Sequence, residues 1–266
     1  MKENYLFVKI LVTNDDGIDS PGLWRVVEEL RRVGEVVVVA PRDEQSGVGT
    51  SANLHRAIKV LPQAVGKGIY ATDGTPVDCV LLAFRVLFPG EIDLVVSGIN
   101  KGPNMGYDVF ISGTVAGAMI GYFHGAPSFA VSVDAYEGVN FEVAAPLTAL
   151  FADRVKKGDL PWATFLNINL PNLSLGEIEG IEVTRLSKQS HSGVIKKVSS
   201  GEGEGEGYVI LRHEVVGEAG PGSDAWALEQ RKISVTPLLP KFWGDKVNDS
   251  LPHLASAVFA ELVNKQ

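Results

Sequence analysis

Near the start of the chain stands Lys9-Ile-Leu-Val-Thr-Asn-Asp-Asp-Gly-Ile-Asp-Ser-Pro-Gly22, an apolar run that ends in two adjacent carboxylates and a glycine. The run Ile10-Leu-Val12 predicts a buried strand, because continuous branched apolar residues suit a strand covered on both faces. The next residues, Asn14-Asp-Asp-Gly17, predict the turn at its C-terminal end. In open α/β sheets ligands bind at that edge. Two adjacent carboxylates repel each other there, and a divalent cation is the simplest group that would remove the repulsion.

A helix is predicted directly after this turn. Ser20 is its candidate cap and Pro21 occupies the first helical position. Its charged residues at positions 28, 29, 31 and 32 are expected on the exposed face. A second buried strand follows at Val36–Ala40. Strand, helix and strand within about 30 residues favour a right-handed parallel crossover.

The same alternation continues through the first two thirds of the chain. Two short strand patterns at 57–61 and 68–71 predict a hairpin, and a helix is expected to start at Thr75-Pro76. Further core strands and helices are predicted, the strands at 93–97, 129–133 and 164–169 and the helices after Ser112 and at 141–157. This order is typical of α/β proteins with a doubly wound, mostly parallel sheet.

The last third changes character. From about Gly180 the pattern is strand-like, with Gly201-Glu-Gly-Glu-Gly-Glu-Gly207 as a low-complexity hairpin tip and a closing helix capped by Asp249 or Ser250. We therefore expect an α/β core in residues 1–184 and an extended hairpin arm with a closing helix in residues 185–266. Such an arm suits packing against another subunit, although cover within the same chain is equally allowed.

Composition excludes several classes of protein. The formal net charge of −8 argues against broad attraction to nucleic acid or to an anionic membrane, although a bound metal could still draw in an anionic substrate. A single cysteine, Cys79, excludes an internal disulfide framework and a cysteine-based zinc site. No signal-peptide core and no run of about 18 apolar residues is present. A cytoplasmic protein is expected.

Two further loops are expected at the edge that carries the acidic pair. In the loop after the second strand, Ser46 stands before Gly47, and glycines let backbone N–H groups approach an anion. The loop after the third core strand carries Asn100 and Asn104, and Ser112-Gly-Thr114 offers hydroxyls and free N–H groups at a helix start. Turn and helix-capping chemistry alone would also explain each of these pieces.

Taken together, these residues predict a cation site with room for a phosphate. Hard cations such as Mg²⁺ prefer oxygen ligands and usually keep several waters. Asp15, Asp16, Ser46 and Asn100 offer two carboxylates, a hydroxyl and an amide carbonyl, and Asn104 is a candidate phosphate donor. No GxGxxG motif opens a helix after the first strand, which argues against a dinucleotide cofactor.

Four motifs occur together in this chain. They are Val12-Thr-Asn-Asp-Asp-Gly17, Ala40-Pro41 with Ser46-Gly47, Gly74-Thr-Pro76, and Val96-Ser-Gly-Ile-Asn-Lys-Gly-Pro-Asn-Met-Gly106 with Ser112-Gly-Thr-Val115. With Asn167-Ile-Asn-Leu-Pro171 and Ser234-Val-Thr-Pro-Leu238, they resemble the SurE (survival protein E) family of metal-dependent phosphatases.

The resemblance implies an activity, a site and an assembly. The activity is hydrolysis of nucleoside 5′- and 3′-monophosphates and, in some members, of short polyphosphate. The implied fold is a Rossmann-like core with a C-terminal arm exchanged between subunits of a homodimer or homotetramer. One Mg²⁺ or Mn²⁺ per subunit would be held by Asp15, Asp16, Ser46 and Asn100. The phosphate side would be formed by Gly47, Asn104, Ser112, Gly113 and Thr114.

The expected chemistry has the metal neutralise the phosphate and orient an attacking water, with Asp15 or Asp16 as the catalytic proton acceptor. One rival is a phospho-accepting receiver module, which also binds Mg²⁺ with an acidic pair. It needs a phosphorylatable aspartate at the end of the third core strand, where Ser97-Gly98 stands instead. A second rival is a nucleotide-binding protein that does not turn its ligand over.

Overall fold

The computed structural model describes residues 8–63, 66–161, 163–190, 194–198, 206–211, 215–239, and the single positions 254, 256 and 258. Helices pack on both faces of one large sheet. The main helices are α1 (Pro21–Leu30), α2 (Pro76–Leu82), α3 (Gly113–Phe123), α4 (Ala144–Lys156) and α5 (Asp224–Glu229). A π-helical turn at Ala83–Leu87 extends α2, and short 3₁₀ turns occupy Gly106–Phe110 and Leu175–Glu177.

The large sheet has nine strands in the order β3-β4-β2-β1-β5-β6-β7-β11-β8. With β9 and β10, which lie outside this sheet, the strands of the described residues are β1 (Lys9–Thr13), β2 (Glu35–Pro41), β3 (Val60–Pro62), β4 (Ile69–Thr72), β5 (Leu94–Lys101), β6 (Ser128–Asp134), β7 (Phe165–Pro171), β8 (Ile181–Val183), β9 (Val194–Val198), β10 (Gly207–Leu211) and β11 (Ile233–Pro237). Only the β3–β4 and β7–β11 pairs of this sheet are antiparallel. The predicted doubly wound, mostly parallel α/β fold is therefore confirmed.

The first strand is buried on both faces, as its unbroken apolar run predicts. Ile10 and Val12 pack into the core layer that includes α1 and α4. Leu11, which points the other way, packs with residues of α2, among them Cys79. Burial raises the pKa of the Cys79 thiol to about 12. The two layers fix β1 at the centre of the molecule and fix where its C-terminal end lies.

Two details of α1 differ from expectation. Ser20 precedes the helix and Pro21 occupies its first position, but the Ser20 side chain makes no capping hydrogen bond. Glu29 was expected on the exposed face and is only 5% exposed. It lies 2.8 Å from Arg25 and also pairs with Arg32, so its charge is compensated where α1 packs against α4.

The third core strand is longer than its apolar run suggests. A loop was expected from Gly98, but β5 continues to Lys101 through an irregularity between Ser97 and Asn100. Gly98 has a φ of +133°, and a Cβ there would lie 2.4 Å from the Val131 carbonyl oxygen. Glycine lets the strand bulge and then resume pairing with β6. The expectation that Asn100 lies in a loop is therefore wrong, since it lies in a strand.

The C-terminal third contributes to two sheets. β11 enters the large sheet between β7 and β8, whereas β9 and β10 form a separate two-stranded antiparallel sheet. Helix α5 was not predicted, although Ser223 accepts a hydrogen bond from the Trp226 N–H as its cap. The hairpin arm is thus present, and the division into two domains at 184/185 stays a prediction.

Two predicted features fall largely outside the described residues. Of the Gly-Glu tip at 201–207, only positions 206 and 207 are described. The proposed caps of the closing helix, Asp249 and Ser250, are also outside, while Leu254 and Val258 are helical and exposed. Within the described part of the chain, no helix is both long and apolar enough to cross a membrane.

Candidate active site

A small cavity of about 50 Å³ lies at the C-terminal edge of β1 and β5. Its walls are formed by the acidic turn, the loop after β2, and the loop and helix start that follow β5. Six of the predicted site residues line it, namely Asp15, Ser46, Gly47, Asn100, Asn104 and Ser112. The fold therefore brings together the three segments whose polar residues follow apolar runs in the sequence. A space of this size accepts a phosphoryl group and little more.

Backbone hydrogen bonds fix the acidic turn and the Ser46 loop to each other. The Asn14 side chain donates to the Gly17 carbonyl at 2.8 Å and closes the turn. Gly17 has a φ of +98°, a conformation that favours glycine. The Gln45 N–H donates to the Asp15 carbonyl at 2.7 Å. The loop that carries Ser46 is thus held directly beside the two carboxylates.

Asp16 is held in a costly environment. Its side chain is 4% exposed, and its Oδ2 accepts a 3.2 Å hydrogen bond from the Lys101 backbone N–H. Its Oδ1 is buried without a hydrogen-bond partner among the described residues, although the Lys101 ammonium lies 3.7 Å away. Burial, followed by the neighbouring charge of Asp15, raises the pKa of Asp16 to about 6. An unsatisfied carboxylate oxygen beside a second carboxylate is an environment that a cation would relieve.

Asp15 is positioned by the start of α3. The Thr114 hydroxyl donates to Asp15 Oδ1, and Thr114 is fully buried. Gly113 packs against the same side chain, since a Cβ at that position would lie 2.8 Å from the Asp15 Cβ. Ser112 caps α3 by accepting the Val115 N–H at 3.1 Å. Gly113 and Thr114 were expected to bind phosphate. That role stays a prediction, whereas the structure shows their contacts with Asp15.

Ser46 has a neighbour that sequence reasoning missed. Its hydroxyl donates to Glu44 at 2.7 Å, and Glu44 also lies 3.3 Å from the Lys101 ammonium. A serine hydroxyl that donates a hydrogen bond in this way keeps the lone pairs of its oxygen available for a cation. Glu44 lies in the loop after β2 and Lys101 ends β5, each near other polar residues, so nothing in the sequence distinguishes them.

The phosphate side is organised around the backbone of Asn104. Its N–H donates to Asn169 at 2.8 Å, and its carbonyl accepts from Asn167 at 2.7 Å and from Asn169 at 3.1 Å. Its side-chain amide donates to the Ser132 hydroxyl at 2.9 Å. Asn167 and Asn169 point to the same face of β7 because side chains alternate along a strand. That alternation within an apolar strand is the signal by which they can be found in the sequence.

Asp108 is a second carboxylate on the cavity wall, beside Asp15, and was not predicted. It is 6% exposed and accepts a 2.6 Å hydrogen bond from Ser190. It lies in the 3₁₀ turn after Asn104, where it reads as an ordinary turn residue. Tyr136 and Ile111 complete the rim with apolar surface.

The donor set fits a hard divalent cation. No group of three or more histidine, cysteine, aspartate or glutamate side chains suited to a metal occurs in the described ranges. Asp15, Asp16, Ser46 and Asn100 offer oxygen atoms only, the ligand type that Mg²⁺ and Mn²⁺ prefer. The buried and unsatisfied Asp16 Oδ1 is the observation that favours a cation here.

Comparison with known proteins gives a consistent result. The family described as Survival protein SurE matches residues 10–193. A protein from Dehalococcoides mccartyi (strain CBDB1) named 5′-nucleotidase SurE is 44% identical over 237 residues, covering 87% of this chain and 88% of that protein. One of the same name from Legionella pneumophila (strain Lens) is 37% identical and covers 96% and 100%. The crystal structure of the SurE protein from Aquifex aeolicus superposes with a TM-score of 0.80 at 40% identity, covering 93% and 99%.

Proposed function

This chain belongs to the SurE family, and we propose that it is a metal-dependent nucleotidase that hydrolyses nucleoside monophosphates to nucleoside and phosphate. Its relatives that carry the name 5′-nucleotidase SurE match it over most of their length. The observation in the structure that carries the proposal is the acidic pair: Asp15 lines a small cavity, and the adjacent Asp16 has one carboxylate oxygen buried and unsatisfied. Neither the receiver module nor the non-hydrolysing binder has support of this kind.

Asp15, Asp16, Ser46 and Asn100 would hold one Mg²⁺ or Mn²⁺ per subunit. When bound, the metal supplies positive charge beside the phosphate and lowers the pKa of a water ligand. Hydrolysis of a phosphate monoester needs an acceleration of up to about 10²¹-fold, of which a general base supplies roughly 10²–10⁴. Charge stabilisation and fixed donors must therefore provide most of the acceleration.

The remaining residues of the site have defined tasks in this proposal. The N–H groups at the start of α3 and the backbone near Gly47 donate hydrogen bonds to phosphate oxygens. The loop with Asn104 forms the opposite wall, and its position is fixed by Asn169 on β7. The attacking water loses a proton, and Asp15 and Asp16 are the two carboxylates that can accept it. Rigid placement of these groups aligns the water with the ester bond.

The decisive experiment measures phosphate release from 5′-AMP with Mn²⁺ or Mg²⁺ and with EDTA. We expect turnover with metal and none with EDTA, and loss of turnover in Asp15→Asn, which keeps the shape of the side chain. Release that persists in EDTA, or an Asp15→Asn variant as active as the wild type, would contradict the proposal. Nucleotide binding without release would identify a non-hydrolysing binder.

Finer points of the proposal need their own substrates and measurements. We propose that 3′-monophosphates and short polyphosphate are also hydrolysed, which 3′-AMP and tripolyphosphate test in the same assay. We also propose that the hairpin arm joins subunits into a homodimer or homotetramer. The expected cytoplasmic location stays a prediction.

A further inference from the structure

A buried carboxylate from the C-terminal third holds the phosphate-side loop in place. Asp224 lies at the start of α5, beyond residues 10–193 that match the family, and its exposure is 0%. Its Oδ2 accepts the Gly106 N–H at 2.8 Å. Its Oδ1 accepts the Ser187 and Ala225 N–H groups, each at 2.8 Å. One side chain thus joins three segments that are far apart in the sequence.

The loop that Asp224 holds carries two residues of the cavity wall. Gly106 lies two positions after Asn104 and two before Asp108, and both of those line the cavity. At Asn104 the loop is bound to Asn169 on β7, and at Gly106 it is bound to Asp224. In both attachments a backbone N–H of the loop donates to a side chain, and the two N–H groups are only two residues apart. A shift at Gly106 therefore moves Asn104 and Asp108 with it.

Further contacts attach the same loop to the same part of the chain. The Tyr107 N–H donates to the Gln189 carbonyl at 2.8 Å, and Ser190 donates to Asp108 at 2.6 Å. At Gly106, where φ is +53°, a Cβ would lie 2.4 Å from the Gln189 carbonyl oxygen. The loop and residues 187–190 are therefore packed closely, and Asp224 is the charged group that binds both.

We propose that Asp224 is a positioning residue for the nucleotidase reaction, setting Asn104 against the substrate phosphate by binding Gly106 and Ser187 together. This inference rests on the proposed function. Three N–H groups that converge on one carboxylate make charge-assisted hydrogen bonds, which are the stronger kind. An asparagine of the same shape would turn an NH₂ group toward at least one of these N–H donors, so the attachment would be lost on one side.

The test compares Asp224→Asn with the wild type in three measurements. We expect kcat/KM for 5′-AMP to fall by about 10- to 100-fold, since a displacement of about 1 Å can cost 10²-fold. The inhibition constant of inorganic phosphate should rise by about fivefold or more for the same reason. The dissociation constant of Mn²⁺ should stay within about twofold, because Asp224 touches none of the proposed metal ligands.

Ser223→Ala is the matched control. Ser223 caps α5 next to Asp224 by accepting the Trp226 N–H, and no hydrogen bond joins it to the Gly106 loop among the described residues. This variant should melt a few degrees earlier, with its kinetic and phosphate constants within about twofold of the wild type. Equal losses in both variants, or a weaker Mn²⁺ affinity in Asp224→Asn, would show a general structural role and overturn the inference.

Three other outcomes are also decisive. If Asp224→Asn does not fold, Ser190→Ala is used instead, because it removes the part-buried hydrogen bond from Ser190 to Asp108 that also attaches the loop. An unchanged inhibition constant of inorganic phosphate in that variant overturns the inference. An active wild type with an unchanged Asp224→Asn variant would overturn this inference alone. A wild type that releases no phosphate from 5′-AMP would overturn the proposed function together with it.

Discussion

Asp15 and Asp16 are adjacent in the chain, yet their surroundings differ. Asp15 accepts a hydrogen bond from the Thr114 hydroxyl and lines the cavity. Asp16 has one buried oxygen without a hydrogen bond and a pKa raised from an ordinary value near 3.8 to about 6. A shift of about two pKa units corresponds to roughly 3 kcal/mol of destabilisation when the group is charged at neutral pH. The folded protein accepts this cost at a residue that its proposed function requires.

We therefore predict that Asp16→Asn stabilises the metal-free protein and abolishes its response to metal. In EDTA at pH 8 the melting temperature should rise by several degrees, since about 1 kcal/mol is worth roughly 2–4 °C in a chain of this size. A raised pKa in the folded state means that the wild type loses stability as the pH rises from about 4 to 6. The gain should therefore vanish near pH 4.

Thermal melts at both pH values, with EDTA or Mn²⁺, check this prediction. Mn²⁺ should raise the melting temperature of the wild type and leave that of Asp16→Asn unchanged. An Asp16→Asn variant that is less stable than the wild type in EDTA at pH 8 would show that the buried charge is compensated.

Single residues show both the reach and the limit of sequence reasoning. Asp15, Ser46, Asn100 and Asn104 are recognisable because each polar residue follows an apolar run that ends at the same edge of the sheet. Their partners are not recognisable, because nothing in the local pattern distinguishes Glu44, Lys101 and Asp108 until the fold brings them together. Asp224 is a stronger case, since it acts on a loop 118 residues earlier in the chain.

At the scale of elements, the start of α2 explains the Gly74-Thr-Pro76 motif. Thr75 and Asp78 form a reciprocal capping box, in which Asp78 accepts the Thr75 N–H at 2.9 Å. Asp78 also accepts the Asn53 N–H at 3.0 Å and so attaches the chain that follows the Ser46 loop. A Cβ at Gly74 would lie 2.8 Å from the Asp78 Cβ, so only glycine fits. The sequence predicted the helix start at Thr75-Pro76, but not this second attachment.

Asp78→Ala should lower the free energy of unfolding by about 3 kcal/mol, because it leaves buried N–H groups unsatisfied and removes a helix cap. Urea unfolding followed by circular dichroism measures this loss. Asp159→Ala is the control, since Asp159 forms an exposed ion pair with Arg154 at 3.1 Å and should cost less than about 1 kcal/mol. Equal losses in the two variants would contradict the role given to the capping box.

Other elements show where local patterns fail. The end of β5 could not be located from its apolar run, because the bulge at Gly98 depends on pairing with β6. Helix α5 has six residues, too few to establish a helical repeat, and only its Ser223-Asp224 start is a signal. Strand β1 and helix α3 were predicted correctly because their patterns span the whole element.

At the scale of the whole molecule, the hairpin β9–β10 stands apart from the large sheet. Its exposed side chains include Ile195 and Ile210, which are 63% and 61% exposed and face each other across the pair. A two-stranded sheet is marginal by itself, so it suits the proposed role in joining subunits. At the base of the hairpin, Ser190 and Val216 exchange two 2.9 Å backbone hydrogen bonds.

That closed base allows a clean deletion. Replacing residues 191–215 by Asn-Gly, a two-residue turn suited to an antiparallel pair, should leave the core folded and convert the proposed oligomer to a monomer. Light scattering measures the mass, and a melting temperature within a few degrees of the wild type shows that the core is intact. A double Ile195→Lys, Ile210→Lys variant should dissociate in the same way. An unchanged mass in both would contradict an assembly through this arm.

The position of Asp224 and β11 also has a consequence for synthesis on the ribosome. The four proposed metal ligands all lie within the first 100 residues, and chains generally fold from the N-terminus while they are made. On the proposed phosphate side, the hydrogen bond from Gly106 to Asp224 can form only after Asp224 has left the ribosome. The edge of β7 is covered only when residues 233–237 follow and pair with it. A growing chain thus acquires its proposed metal ligands early and its complete catalytic geometry near the end of translation.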